Sequence, residues 1–290
     1  MKDLKENIFR IIITIGAVLS SVLVLLVFFY ILKESMPFFR EVNFRKYIFS
    51  DSWRPLSSNP DYSFLPMISA TLYISFLAIL IAMPLSVGCG LFLSFNANKK
   101  YSKIILSFID MIAGIPSVIF GFLGLVLLVK HLERNLDMVT GESVLAGAIL
   151  LSIMLFPYIV TGCTETFVKG KNIYYAASQS LGVSKWYTMR RIILPFARNS
   201  IFVNMILAFG RAIGETMAVM MVTGNSPIFP KLLGRAETIP SLIALEMGTA
   251  TYKSLHYSSL YAAGLILIVL VLIIQLIAHM INKAGMRHIR

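Results

Sequence analysis

Long apolar runs, separated by short charged stretches, set the plan of this chain. The first covers Ile11–Leu32, behind a basic head carrying Lys2, Lys5 and Arg10. Others cover roughly 67–95, 104–129, 143–167, 201–222 and 258–281. A hydrocarbon core ~30 Å thick is crossed by ~20 apolar helical residues, so each run predicts a transmembrane helix. The ~10-residue alternating segments of a membrane β-barrel do not occur. The pattern predicts an all-α membrane protein with six transmembrane helices. The first run exceeds a signal-peptide core and no small-residue cleavage site follows it, so it is expected to remain as a helix.

Punctuation inside the runs predicts where they bend. Pro84, Gly88 and Gly90 fall in the second, and Gly114-Ile-Pro-Ser-Val-Ile-Phe-Gly-Phe-Leu-Gly124 in the third. Small residues let helices approach closely, and irregular backbone at membrane depth is tolerated where protein or a cavity surrounds it. The connection 33–65, with Trp53 and the turn-rich Arg54-Pro-Leu-Ser-Ser-Asn-Pro60, reads as a small extramembrane cap. The loop 223–257 contains an apolar piece at Leu242–Met247. The stretch 168–199 is basic and patterned. Its residues 175–181 predict a short helix ended by Gly182, and Ser184–Leu194 a second one broken by Pro195.

Composition agrees with this plan. The 290 residues are 57% hydrophobic and 14% charged, with mean hydropathy +0.79, against about 25% charged for a soluble domain. The net charge of +12 would suit nucleic acid, but its distribution argues otherwise. Six crossings put both termini on one side. That side collects 15 Lys and Arg, from the head, Lys99, Lys100, Lys103, the loop 168–199 and the tail, against Asp3, Glu6 and Glu165. The other side holds 10 bases, among them Arg45, Lys46 and Arg235, against nine acids. The positive-inside rule makes the termini side cytoplasmic, so the charge is topological. Cys89 and Cys163 lie in apolar runs and read as small buried residues. The four histidines are scattered without metal-ligand spacing.

Charges inside the runs are the candidate chemistry. Arg211 sits ten residues into the fifth run, ~15 Å from its edge and so near the midplane. A charge there costs roughly 2.5–3.5 kcal/mol on insertion scales. Glu215 stands one helical turn away and is the expected resting partner. A guanidinium at this depth presents a planar fork of donors suited to an oxyanion. The alternative is a structural salt bridge that locks the helix. Thr216, Thr223 and Asn225 lie along the same stretch as further donors. Asp110 lies close to the basic loop and reads as an interfacial carboxylate that reaches water or Lys103.

Two patterns carry a resemblance. The loop 168–199 resembles the coupling loop of bacterial ABC importer permeases, whose pattern is Glu-Ala-Ala, three residues, Gly, nine residues, Ile, one residue, Leu-Pro. Ala176, Ala177, Ser178, Gly182, Ile192, Leu194 and Pro195 keep its full spacing, with Ala176 in place of Glu and Ser178 in place of the second Ala. Arg211-Ala-Ile-Gly-Glu-Thr-Met-Ala-Val219 is similar to the signature of PstC-type phosphate ABC transporter permeases. Gly114–Gly121, and Leu65-Pro66 followed by Thr71-Leu72, are similar to the same family. The resemblance covers about residues 60–285.

The resemblance implies a type I ABC importer permease with a MetI-like fold. Residues 1–65 would supply an N-terminal helix and outer loop, and 66–290 the permease core. It implies a PstA-type sister subunit, two PstB-type ATPases and a PstS-type extracytoplasmic phosphate-binding protein, in the bacterial inner membrane. ATP and magnesium would bind on the ATPases, and this chain has no Gly-x-x-x-x-Gly-Lys-[Ser/Thr] loop. Arg211, Glu215 and Thr216 would line the substrate pathway. Tyr175, Ala176, Ala177, Ser178, Gly182, Leu194 and Pro195 would couple to the ATPase. A permease for sulfate, molybdate or phosphonate is the near alternative. A multi-pass membrane enzyme using Glu215, Asp110 or Glu165 is the distant one, since no nucleophile–base arrangement or metal motif accompanies them.

Overall fold

A computed structural model of the chain describes residues 2–41 and 52–287. Arg45 and Lys46 of the outer-side charge, and His288 and Arg290 of the tail, lie outside the described residues. The helices are α1 (Lys2–Glu41), α2 (Leu65–Phe95), α3 (Lys99–Ala113) and α4 (Ser117–Asn135). They continue with α5 (Val144–Ser180), α6 (Lys185–Gly214), α7 (Met217–Thr223), α8 (Ile239–Glu246) and α9 (Leu255–Arg287). Among the described residues, five helices are long and apolar enough to cross a membrane. The pair α3–α4 supplies the sixth expected span as a broken one, bent by 90°.

The centre is a packed layer of α2, α5 and α6. On α2, Ala70, Ile74, Ala78 and Ala82 recur every fourth residue and are buried. They share one core with Leu151, Leu155, Ile159, Cys163 and Phe167 of α5. Small side chains on one helix admit large ones from the other, which is how membrane helices gain contact where lipid offers no hydrophobic drive. The helix α1 packs along α9 at the periphery, and most of its apolar side chains remain exposed.

The third run bends where its glycine and proline predict. At Gly114-Ile115-Pro116 the helix stops and restarts, because Pro116 has no N–H to donate and disfavours helical geometry in the residue before it. Beyond the bend, Gly121 meets α7 so closely that a Cβ there would lie 3.1 Å from Ala218 Cα and 3.2 Å from the Met217 carbonyl oxygen.

Three expected boundaries are corrected. The fourth helix does not end at Phe167 but continues as α5 to Ser180, absorbing the short helix expected at 175–181. Hydropathy marks where a helix leaves lipid, and no proline lies between Pro157 and Gly182. Pro195 does not break the next helix either. A π turn at Met189–Ile193 precedes it, with the Leu194 N–H bonded to the Met189 carbonyl. That wide turn relieves the contact a proline ring makes with the carbonyl four residues back. Finally, the fifth run is not one helix to Val222. It breaks at Glu215–Thr216, where Glu215 is extended (φ −70°, ψ 123°).

The expected outer cap is a small hairpin, β1 (Trp53–Arg54) against β2 (Asp61–Tyr62), pairing Trp53 with Tyr62. Trp53, Tyr62, Phe64 and Phe38 are buried together with Ile239 and Leu242 of α8 and Leu260 of α9. Burying a large apolar side chain contributes about 1.5–3 kcal/mol, so this cluster anchors the hairpin to three helices. The Trp53 indole donates to Glu246 at 3.0 Å, and His256 Nε2 lies 2.7 Å from the same carboxylate.

Candidate functional site

Arg211 lies on the last turn of α6, exposed on an open side of the isolated chain. Its resting partner is not Glu215. The helix ends at Gly214, so the spacing that would have brought the two side chains together on one face is lost. Glu215 instead turns toward the start of α7, where its Oε1 accepts the Ala218 N–H at 3.5 Å. A carboxylate there satisfies a donor that the helix leaves unpaired and sits at the positive end of the helix dipole.

The guanidinium lies over the ring of Tyr158 of α5, with Cζ 3.9 Å from the ring centroid. Among the described residues, no carboxylate comes within ion-pair distance of Arg211. A cation–π contact is worth about 0.5–1 kcal/mol at an exposed site, so the ring offsets part of the roughly 2.5–3.5 kcal/mol cost of a midplane charge. The Tyr158 hydroxyl in turn donates to the Ala113 carbonyl at 3.2 Å, beside the bend between α3 and α4. Gln275 of α9 flanks Arg211's neighbour: a Cβ on Gly210 would stand 3.7 Å from its Nε2.

The further donors divide. The Thr216 hydroxyl donates to the Gly214 carbonyl within the break. Thr223 is buried and its hydroxyl returns to the Val219 carbonyl, so it does not offer a donor to the open side. The Asn225 amide donates to the Met220 carbonyl. Asp110 accepts from Thr161 of α5 at 3.3 Å, a partner other than the expected Lys103. Asp110, Thr161 and Glu165 border a cavity of about 490 Å³ below Tyr158 on the same helix.

The second candidate surface is the turn after α5. Gly182 adopts φ +70°, the Val183 N–H bonds the Ser178 carbonyl at 3.1 Å and the Gly182 N–H that of Gln179 at 2.9 Å. This pair of bonds is the Schellman motif, which needs a left-handed residue and so selects glycine. Ser184 then caps the start of α6 by accepting the Tyr187 N–H. Ser178 is buried and Tyr175 half-buried, its ring edge against Phe95, while Ala176 and Ala177 are exposed. Leu194 is half-buried and Pro195 exposed on the first turns of α6. Leu181 and Trp186, 81% and 68% exposed, complete an apolar knob flanked by Arg190 and Arg191.

Tyr158 and Trp186 were not legible as site residues. Tyr158 offered one signal, a hydroxyl in the middle of an apolar run directly after Pro157.

Comparison with known proteins adds the following. The family described as "Binding-protein-dependent transport system inner membrane component" matches residues 82–285. The chain is 34% identical to the "Probable ABC transporter permease protein YqgH" of Bacillus subtilis, over 78% of this chain and 73% of that protein. It is 32% identical to the phosphate transport system permease protein PstC of Mesorhizobium japonicum, over 80% of this chain and 76% of that one. Among solved structures, it resembles a chain of a bacterial alginate ABC transporter in complex with its alginate-bound periplasmic protein. There the TM-score is 0.61 at 19% identity, covering 96% of each chain. A chain of the MetNI methionine ABC transporter gives a TM-score of 0.60 at 17% identity, covering 75% of this chain and 94% of that one. The structural likenesses bear on the fold alone.

Proposed function

We propose, on the premise that this chain belongs to the family of binding-protein-dependent transport system inner membrane components, that it is the PstC-type transmembrane subunit of an ATP-driven importer of inorganic phosphate. It is a permease subunit and not an enzyme. Its place is in a bacterial inner membrane, with the termini and the Gly182 turn on the cytoplasmic side, in line with the charge distribution.

One observation carries the reading. An arginine in an apolar stretch lies over the ring of Tyr158 and, among the described residues, is paired with no carboxylate. Phosphate carries between one and two negative charges near neutral pH and cannot enter hydrocarbon alone. A guanidinium with its in-plane N–H groups unclaimed by a carboxylate can take two phosphate oxygens at once. Relatives carrying the PstC name at 32% and 33% identity favour phosphate over sulfate, molybdate or phosphonate.

The remaining parts follow the same plan. A PstA-type sister subunit covers the open side around Arg211 and completes the path. A PstS-type protein delivers phosphate from outside. Two PstB-type ATPases bind ATP and magnesium, and one of them receives the exposed knob of Ala176, Ala177, Leu181 and Trp186. Because α5 is continuous from that knob to Tyr158, a push at the turn reaches the arginine's support without crossing a joint.

The test is uptake of labelled phosphate by cells whose only such permease contains this chain, with unlabelled phosphate, sulfate, molybdate and phosphonate as competitors. Competition by phosphate alone supports the reading. Absence of phosphate uptake with the partner subunits present, or uptake competed more strongly by another oxyanion than by phosphate, contradicts it.

A further inference from the structure

We propose that Tyr158 is the positioning residue for Arg211, holding the guanidinium by its face so that its donors stay available to the anion. The inference rests on the reading that Arg211 lies on the anion's route. A carboxylate partner would claim the in-plane N–H groups and neutralise the charge, and an incoming phosphate would have to displace it. An aromatic face engages the guanidinium from the side that carries no donors. The 3.9 Å separation of Cζ and ring centroid is van der Waals contact, so the ring limits where the fork can sit.

The ring itself is fixed from two sides. It stands on α5, one residue after Pro157, and its hydroxyl donates to the Ala113 carbonyl at 3.2 Å. Ala113 is the last residue of α3 before the 90° bend. Three parts of the chain therefore meet at one phenol: the helix that leads to the coupling turn, the broken span, and the arginine. Tyr158 is 37% exposed, so changing it does not empty the core.

The experiment separates ring electronics from shape. Phenylalanine and its 4-fluoro, 3,5-difluoro and 3,4,5-trifluoro forms are placed at position 158 of the whole transporter. Initial uptake of labelled phosphate is measured in cells, with assembly checked by recovery of the chain with its ATPase. Fluorine drains the negative face of the ring while leaving its size nearly unchanged, so the attraction for a cation falls stepwise. We expect Tyr158→Phe to stay within about threefold of wild type, and uptake to decline along the series by about tenfold in total. Tyr158→Leu and Tyr158→Met should fall below the last member of the series.

A flat fluorine series in assembled complexes overturns the proposal. So does loss of uptake in Tyr158→Phe alone, which would assign the role to the hydroxyl. If neither aliphatic variant assembles, the ring is structural and the proposal fails. Arg211→Gln, measured alongside, keeps the two readings apart. If it transports normally, the route through Arg211 is wrong. If it does not while the fluorine series is flat, only the role of Tyr158 is wrong.

Discussion

The guanidinium of Arg211 lies over the ring of Tyr158, with Cζ 3.9 Å from the ring centroid, at the place where sequence spacing offers Glu215. The difference matters for transport. A charge stacked on a ring keeps its sign and its donors, whereas a charge paired with a carboxylate has to be released before it can bind anything.

Glu215 then has a local task, accepting the Ala218 N–H at the start of α7. Glutamine can perform it and alanine cannot. Glu215→Ala is expected to lower the stability of the assembled complex by about 0.5–2 kcal/mol, the usual cost of a lost helix cap. Glu215→Gln should unfold within a degree or two of wild type. Thermal unfolding in detergent compares them, and equal losses in both would mean that the charge, not the acceptor, is needed.

Gly182 stands at φ +70° with open space around the position of a Cβ. Conformation, not volume, is therefore what a substitution meets there. Valine in the left-handed region costs about 1–2 kcal/mol, while asparagine visits that region readily. Gly182→Val should uncouple ATP hydrolysis from the binding protein, and Gly182→Asn should keep most of the stimulation. ATPase assays on purified complexes with and without the loaded binding protein decide the matter. Equal stimulation in both variants would remove the turn from the coupling path.

Gly121 is limited by space instead. A Cβ would lie 2.7 Å from Met221 Sδ, which can swing aside, but also 3.1 Å from Ala218 Cα, which cannot. Gly121→Val should destabilise the complex by about 1–3 kcal/mol, the common cost of overpacking. Gly121→Ala should cost less. Unfolding temperatures rank the pair, and a neutral valine would show that α4 and α7 can move apart without penalty.

Glu237, 4% exposed in the outer loop, is held protonated by burial, with the Glu246 carboxylate adding to the effect, and titrates at about 8. The unfolded carboxyl ionises near its ordinary value of about 4.3. Between the two, the folded chain holds one proton more than the unfolded chain, so stability falls as pH rises through this window. Unfolding measured from pH 5 to pH 8.5 should show that decline, and Glu237→Gln should flatten it. A slope unchanged in the variant would place its origin elsewhere.

Much of this was legible in the sequence because lipid imposes simple rules. Apolar runs located the spans, and Gly114 with Pro116 announced the bend of α3 on α4. The Gly182 turn was readable because few residues accept positive φ. Hydropathy could not reveal that α5 runs on to Ser180, since a helix leaving the membrane changes its surface and not its backbone. The break after Gly214 was obscured by an apolar run that continues past it, although Gly214 and Thr216 are a helix stop and a helix start. With that break unseen, Arg211 and Glu215 counted as neighbours by period alone. Tyr158 lies 53 residues away in sequence, and only the packing of α5 on α6 brings it to the arginine.

The most direct test of the account is labelled-phosphate uptake in cells carrying Arg211→Gln, with the amount of assembled transporter measured by pull-down through its ATPase. Glutamine keeps hydrogen-bonding capacity and gives up the charge and the planar fork. The account predicts normal assembly with uptake reduced at least about tenfold, the equivalent of 1.4 kcal/mol lost from the anion's passage. Normal uptake in a normally assembled complex would contradict it and return Arg211 to a structural role against Tyr158.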